Sequence, residues 1–88
     1  MVEDRVTVVN SHGIHARPAA EIVKAAARFA SHITLARDDL EVNGKSIMGV
    51  MMLAAEKGAE LTVRADGDDA AEAVRELVAL VGGHFGEA

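Results

Sequence analysis

This 88-residue chain contains no cysteine, tryptophan or tyrosine, and has one proline and two phenylalanines. Without cysteine it has no disulfide framework and no thiolate metal site, and it suits a reducing compartment. With only two aromatic rings, it has little with which to stack on nucleic-acid bases. Basic residues are outnumbered, nine Lys and Arg against fourteen Asp and Glu, for a net charge of −5. That sign is wrong for binding a phosphate backbone. No apolar run approaches the roughly 20 residues a spanning helix needs, so no membrane insertion is expected. The opening Met1-Val2-Glu3-Asp4-Arg5 lacks the basic start of a secretion signal. The expectation is a cytoplasmic protein with no nucleic-acid partner.

Half of the residues are hydrophobic, which argues against disorder. The length suits one small domain, residues 1–88, with a modest core. Val6 and Val8 alternate with Arg5 and Thr7, predicting a strand from about Val2 to Val9. Ala19, Ile22, Val23, Ala26, Phe29 and Ala30 recur at helical spacing and predict a helix over 16–30. Pro18 is tolerated in a first turn but not in a helix interior, so the helix should start at Ala16 with His15 as N-cap.

Ile33 and Leu35, then Leu40 and Val42, alternate with polar residues about Asp38-Asp39 and read as a hairpin. Asn43-Gly44 is a turn signal, and the Ser46 hydroxyl can cap a short helix from Ile47 to about Leu53. Lys57-Gly58 ends that unit. Leu61, Val63 and Ala65 form a fourth strand. Asp69 and Glu72 have capping-box spacing, and Ala70, Val74, Leu77, Val78, Val81 and Phe85 line one face of a last helix, with Gly82-Gly83 as its end or a weak point near it. The order is βαββαβα. One apolar face per strand and three helices imply an α+β fold, an antiparallel sheet covered on one side.

The segment His12-Gly13-Ile14-His15-Ala16-Arg17-Pro18-Ala19-Ala20 carries the chemistry. A helix start presents backbone N–H groups and partial positive charge, which together attract an anion. A neutral imidazole there can act as a nucleophile, and arginine binds phosphate through a planar set of donors. A histidine or an arginine alone is more often an ordinary surface residue. Placed together beside Pro18, His15 and Arg17 suggest a histidine that carries a phosphoryl group, with the Ala16 and Arg17 amides facing its oxygens.

HGIHARPAA together with NGKSIMGVMMLA closely resembles the HPr family, the histidine phosphocarriers of the bacterial phosphotransferase system, and Phe85-Gly86-Glu87 resembles its ending. The resemblance spans essentially the whole chain. It implies an open-faced β-sandwich, a four-stranded antiparallel sheet with three helices on one face. It also implies that His15 is phosphorylated on Nδ1 and that Arg17 clamps the phosphate. The donor would be enzyme I, charged from phosphoenolpyruvate, and the acceptors sugar-specific IIA domains. Ser46 matches a serine that an HPr kinase/phosphorylase modifies in many bacteria. Ile47, Met48, Met51 and Met52 match the apolar docking patch, to which we add Ala20 and Lys24 as partner-binding candidates. No cofactor is implied beyond the transient phosphoryl group, and the protein would be a carrier, not an enzyme, and a monomer. His12 stands where a small polar residue is more usual.

Other readings use the same residues. A nitrogen-branch carrier would keep the His15 chemistry with regulatory partners, although Ser46-Ile47-Met48-Gly49 leans towards the sugar branch. A regulatory module working through Ser46 would not need His15. A metal-dependent hydrolase on His12-x-x-His15 lacks a glutamate base and a clear third ligand. His32 and His84 read as ordinary residues.

Overall fold

A computed structural model of the chain describes residues 1–83. The elements follow the expected order: β1 (Val2–Thr7), α1 (Ala16–Ala26), β2 (His32–Arg37), β3 (Leu40–Asn43), α2 (Ile47–Met52), β4 (Glu60–Asp66) and α3 (Ala70–Gly82). The sheet runs β1-β4-β2-β3 and every pairing is antiparallel. Val2 faces Ala65 and Thr7 faces Glu60, while Leu35 lies between Val42 and Val63. This is the open-faced β-sandwich.

Two-residue periodicity separates the faces. Ile33, Leu35, Leu61, Val63 and Ala65 point inward and join Val6, Val8, Ile22, Ala26, Val50, Leu77 and Val81 in one core. Burying one such aliphatic side chain stabilises by about 1.5–3 kcal/mol, so this face dominates stability. The opposite face is laced with charge: Arg64 pairs with Glu3 at 3.0 Å and Glu41 at 3.3 Å, and Arg5 with Glu60 at 3.6 Å.

Three local expectations need correction. The first helix stops at Ala26, not Ala30. The Arg28 and Phe29 amides bond three residues back, to Ala25 and Ala26. The Ala30 and Ser31 amides are taken instead by the Asp69 carboxylate, and the Phe29 carbonyl by the Lys45 ammonium. Tertiary partners thus absorb the groups that a longer helix would pair. For the same reason the Asp69 capping box does not form. Asp69 occupies the N-cap position of α3, but its side chain makes no cap bond. Leu40 is 40% exposed because β3 is a short edge strand; only its far end is covered, where Val42 meets Gly49. His84, the helix-face position of Phe85 and the Phe85-Gly86-Glu87 ending lie outside the described residues.

Candidate functional site

The loop from β1 to α1 is held from both ends. Val8 donates its amide to the Ala59 carbonyl at 2.8 Å and accepts from Gly58 at 2.8 Å. Asn10 is buried; its Nδ2 donates to the Gly13 carbonyl at 2.6 Å, and its carbonyl accepts from the Gly13 amide at 3.1 Å. Gly13 adopts φ 65°, and a Cβ there would collide with the Ala55 carbonyl oxygen. Both features require glycine. The Ile14 amide then donates to that same Ala55 carbonyl at 2.8 Å.

His15 follows as the N-cap of α1, extended at φ −88° and ψ −169°, with no side-chain cap bond. Its carbonyl accepts the Ala19 amide at 2.9 Å. Ile14 on one side and Pro18 and Ala19 on the other are buried, so core packing fixes the backbone that carries the imidazole. The ring is half-buried and its Nε2 is sealed from solvent. His12 stands edge-on to this ring, with centroids 5.9 Å apart and planes at 85°. The unusual residue at position 12 is thus a direct neighbour of His15.

Ala16 and Arg17 are exposed in the first turn of α1, which contains no acidic residue to offset its positive end. Pro18 supplies no N–H, so the amides at the helix start belong to Ala16 and Arg17. Ala20 and Lys24 continue the exposed side one and two turns further along.

Ser46 caps α2, its hydroxyl accepting the Gly49 amide at 3.2 Å. Val50 and Leu53 are the residues of this short segment that reach the core. Ile47, Met48, Met51 and Met52 are 42%, 73%, 45% and 64% exposed. Spacing required only one exposed methionine, yet all three are outside. α1 and α2 pack together, so the two sets of docking candidates lie on neighbouring helices.

The 53–56 segment beneath the site was not anticipated. Its role rests on the Gly13 and Ile14 contacts to Ala55, which no local pattern signals. Among the described residues, no group of three or more His, Cys, Asp or Glu is placed to hold a metal ion, which leaves the His12-x-x-His15 hydrolase reading unsupported. Nor, among the described residues, is any helix long and apolar enough to cross a membrane.

Fold and site together define a small open-faced sandwich that presents one imidazole and one guanidinium at a helix start. The family model PTS-HPr, described as the PTS HPr component phosphorylation site, matches residues 2–82. The chain belongs to the HPr family of phosphocarrier proteins of the phosphotransferase system. It is 49% identical over 87 residues to the Treponema pallidum phosphocarrier protein HPr, covering 99% of both. It is 44% identical over 87 residues to that of Neisseria meningitidis serogroup B, covering 99% of this chain and 98% of the relative. The crystal structure of HPr from Thermoanaerobacter tengcongensis superposes with TM-score 0.96 at 43% identity, covering 100% and 99%. The HPr-like protein Crh of Bacillus subtilis is 47% identical over 81 residues, covering 92% and 95%. One Crh crystal structure is described as a domain-swapped dimer.

Proposed function

We propose that this chain is the carrier in a phosphoryl relay, with His15 as acceptor, enzyme I as donor and sugar-specific IIA domains as recipients. The observation that carries the reading is the half-buried His15 ring at the N-cap of α1, with Nε2 sealed and Arg17 in the adjacent turn.

With the proton on Nε2, the Nδ1 lone pair attacks the donor's phosphorus while the bond from phosphorus to the donor breaks and its electron pair leaves with the donor. No proton need leave first. The new phosphoryl oxygens then meet the Ala16 and Arg17 amides and the Arg17 guanidinium. Each charge-assisted hydrogen bond contributes about 1.5–3 kcal/mol. The clamp must favour the transition state over the loaded carrier, because over-tight ground-state binding slows delivery. Attack by the recipient's own nucleophile on the same phosphorus breaks the bond to Nδ1 and returns His15 to its starting state, so the protein turns over without being an enzyme.

The exposed Ile47, Met48, Met51 and Met52 supply the apolar contact for both partners. Ala20 and Lys24 extend it on α1. Ser46 is the regulatory site for an HPr kinase/phosphorylase. A phosphate on its hydroxyl suits a helix start and leaves the fold intact, but it adds about two negative charges beside the docking patch. The docked unit is one copy of the chain, working in the cytoplasm.

Incubation with enzyme I and phosphoenolpyruvate, followed by mass spectrometry at neutral pH, tests the reading. One acid-labile phosphate on His15 supports it; no phosphate, or a phosphate elsewhere, rejects it.

A further inference from the structure

We infer that Arg37, at the far end of β2, is a positioning residue for His15, acting through Ala55. The inference rests on the carrier reading above and deepens it. Arg37 is 22 positions from His15 in sequence. Its Nη1 donates to the Leu53 carbonyl at 3.1 Å and to the Ala54 carbonyl at 2.8 Å. Its Nη2 pairs with the Glu56 carboxylate at 2.6 Å. One guanidinium thus holds the residues on both sides of Ala55.

Ala55 is the floor of the site loop. It is buried, its carbonyl accepts the Ile14 amide at 2.8 Å, and the Gly13 backbone presses against it. Ile14 is the residue immediately before His15. The Ala55 carbonyl lies between two points that Arg37 holds, the Ala54 carbonyl and the Glu56 side chain, so a shift of this segment is passed through Ala55 to the backbone that aims the imidazole.

That peptide needs holding. Ala54 sits at φ 48°, in the left-handed region that disfavours a side chain with a Cβ. It follows the end of α2, where carbonyls lack helical partners. Two carbonyl dipoles converging on one cation form an arrangement that the guanidinium stabilises and that disperses without it. The third anchor is the Glu56 carboxyl, which is held below its usual range first by its own backbone amide and then by Arg37. A merely structural arginine on the same sheet is available for comparison. Arg64 pairs with Glu3 and Glu41 and makes no contact with the 53–56 segment among these bonds.

The test compares wild type, Arg37→Gln, Arg37→Lys and Arg64→Gln by amide hydrogen exchange and by phosphoryl acceptance from enzyme I. In Arg37→Gln, exchange at Ile14 rises about tenfold relative to the slowest sheet amides. The kcat for phosphoryl acceptance falls about three- to tenfold, with KM within about twofold, because the nucleophile is misaimed while docking persists. Arg37→Lys, which keeps the charge and can reach one carbonyl, recovers part of both losses. Arg64→Gln leaves Ile14 exchange and kcat unchanged. If Arg37→Gln does not fold, Arg37→Lys carries the test, with partial loss of both quantities expected. Wild-type Ile14 exchange in the Arg37 variants, an equal rise in Arg64→Gln, or an unchanged kcat overturns the proposal. Failure of the wild type to accept phosphate rejects the carrier reading alone, and the exchange data still decide whether Arg37 places the loop.

Discussion

The Asp69 carboxylate accepts hydrogen bonds from both the backbone amide and the hydroxyl of Ser31, a residue 38 positions earlier in the chain. It also accepts the Ala30 amide at 2.8 Å. This one side chain ends α1, starts β2 and ties both to the beginning of α3. The Ser31 hydroxyl, then the Ala30 amide, hold its carboxyl below the usual aspartate range. Between the ordinary range and that lowered value, the unfolded chain binds a proton that the folded chain does not. The clamp's contribution is therefore full above the ordinary range and is lost as pH falls through the folded value. Urea midpoints measured against pH should drop over that acid window in wild type. In Asp69→Asn the drop should be shallower and the midpoint at neutral pH lower. Identical acid slopes for the two proteins would remove the clamp from the account.

Ala54 carries a left-handed backbone, φ 48°, just past the end of α2. For a residue with a Cβ this conformation costs about 1–2 kcal/mol, and glycine adopts it freely. Ala54→Gly should therefore stabilise the protein by about 0.5–1 kcal/mol in urea unfolding, the added freedom of the unfolded chain offsetting part of the gain. A lower midpoint would show that the strain is relieved in some other way.

Arg17 is exposed in the first turn of α1 and outside the core. Arg17→Ala should change stability by less than about 0.5 kcal/mol, as surface substitutions usually do. Losing one charge-assisted contact to the phosphoryl group should slow transfer roughly tenfold to a hundredfold. Equal transfer rates for the two proteins would show that the helix start alone holds the phosphate.

Ser46→Asp should keep the α2 cap, since a carboxylate also accepts an N2 or N3 amide. The negative charge next to Ile47 and Met48 should weaken binding to enzyme I about threefold to tenfold, and the loss should shrink in high salt. Unchanged affinity in low salt would separate Ser46 from docking.

Much of the fold was legible because its signals are local. Alternation in Ile33-Thr34-Leu35 and Leu61-Thr62-Val63 marks strands that bury one face, and that pattern depends on nothing distant. Pro18 located the start of α1, and with it the N-cap position of His15. Ser46 announced its cap because donor and acceptor lie three residues apart. What escaped the sequence is what depends on residues far along the chain. The end of α1 is decided by Asp69 and Lys45, and the Asp69 capping box failed because Ala30 and Ser31 compete for the same carboxylate. The link between Arg37, Ala55 and Ile14 crosses three separate segments, and no spacing rule reports it. His12 was placed in the loop, but its edge-on approach to His15 depends on the turn at Gly13, which fixes how close the two rings come.

The central claim is that the His15 imidazole itself carries the phosphoryl group between two proteins. The most direct measurement starts from protein labelled with radioactive phosphate through enzyme I, freed of donor, and mixed with a IIA domain. The account predicts that label leaves His15 and appears on the IIA domain with matching rates, and that His15→Ala neither takes up nor delivers label. Delivery by the alanine variant, or label held on His15 that a IIA domain cannot remove, would contradict it.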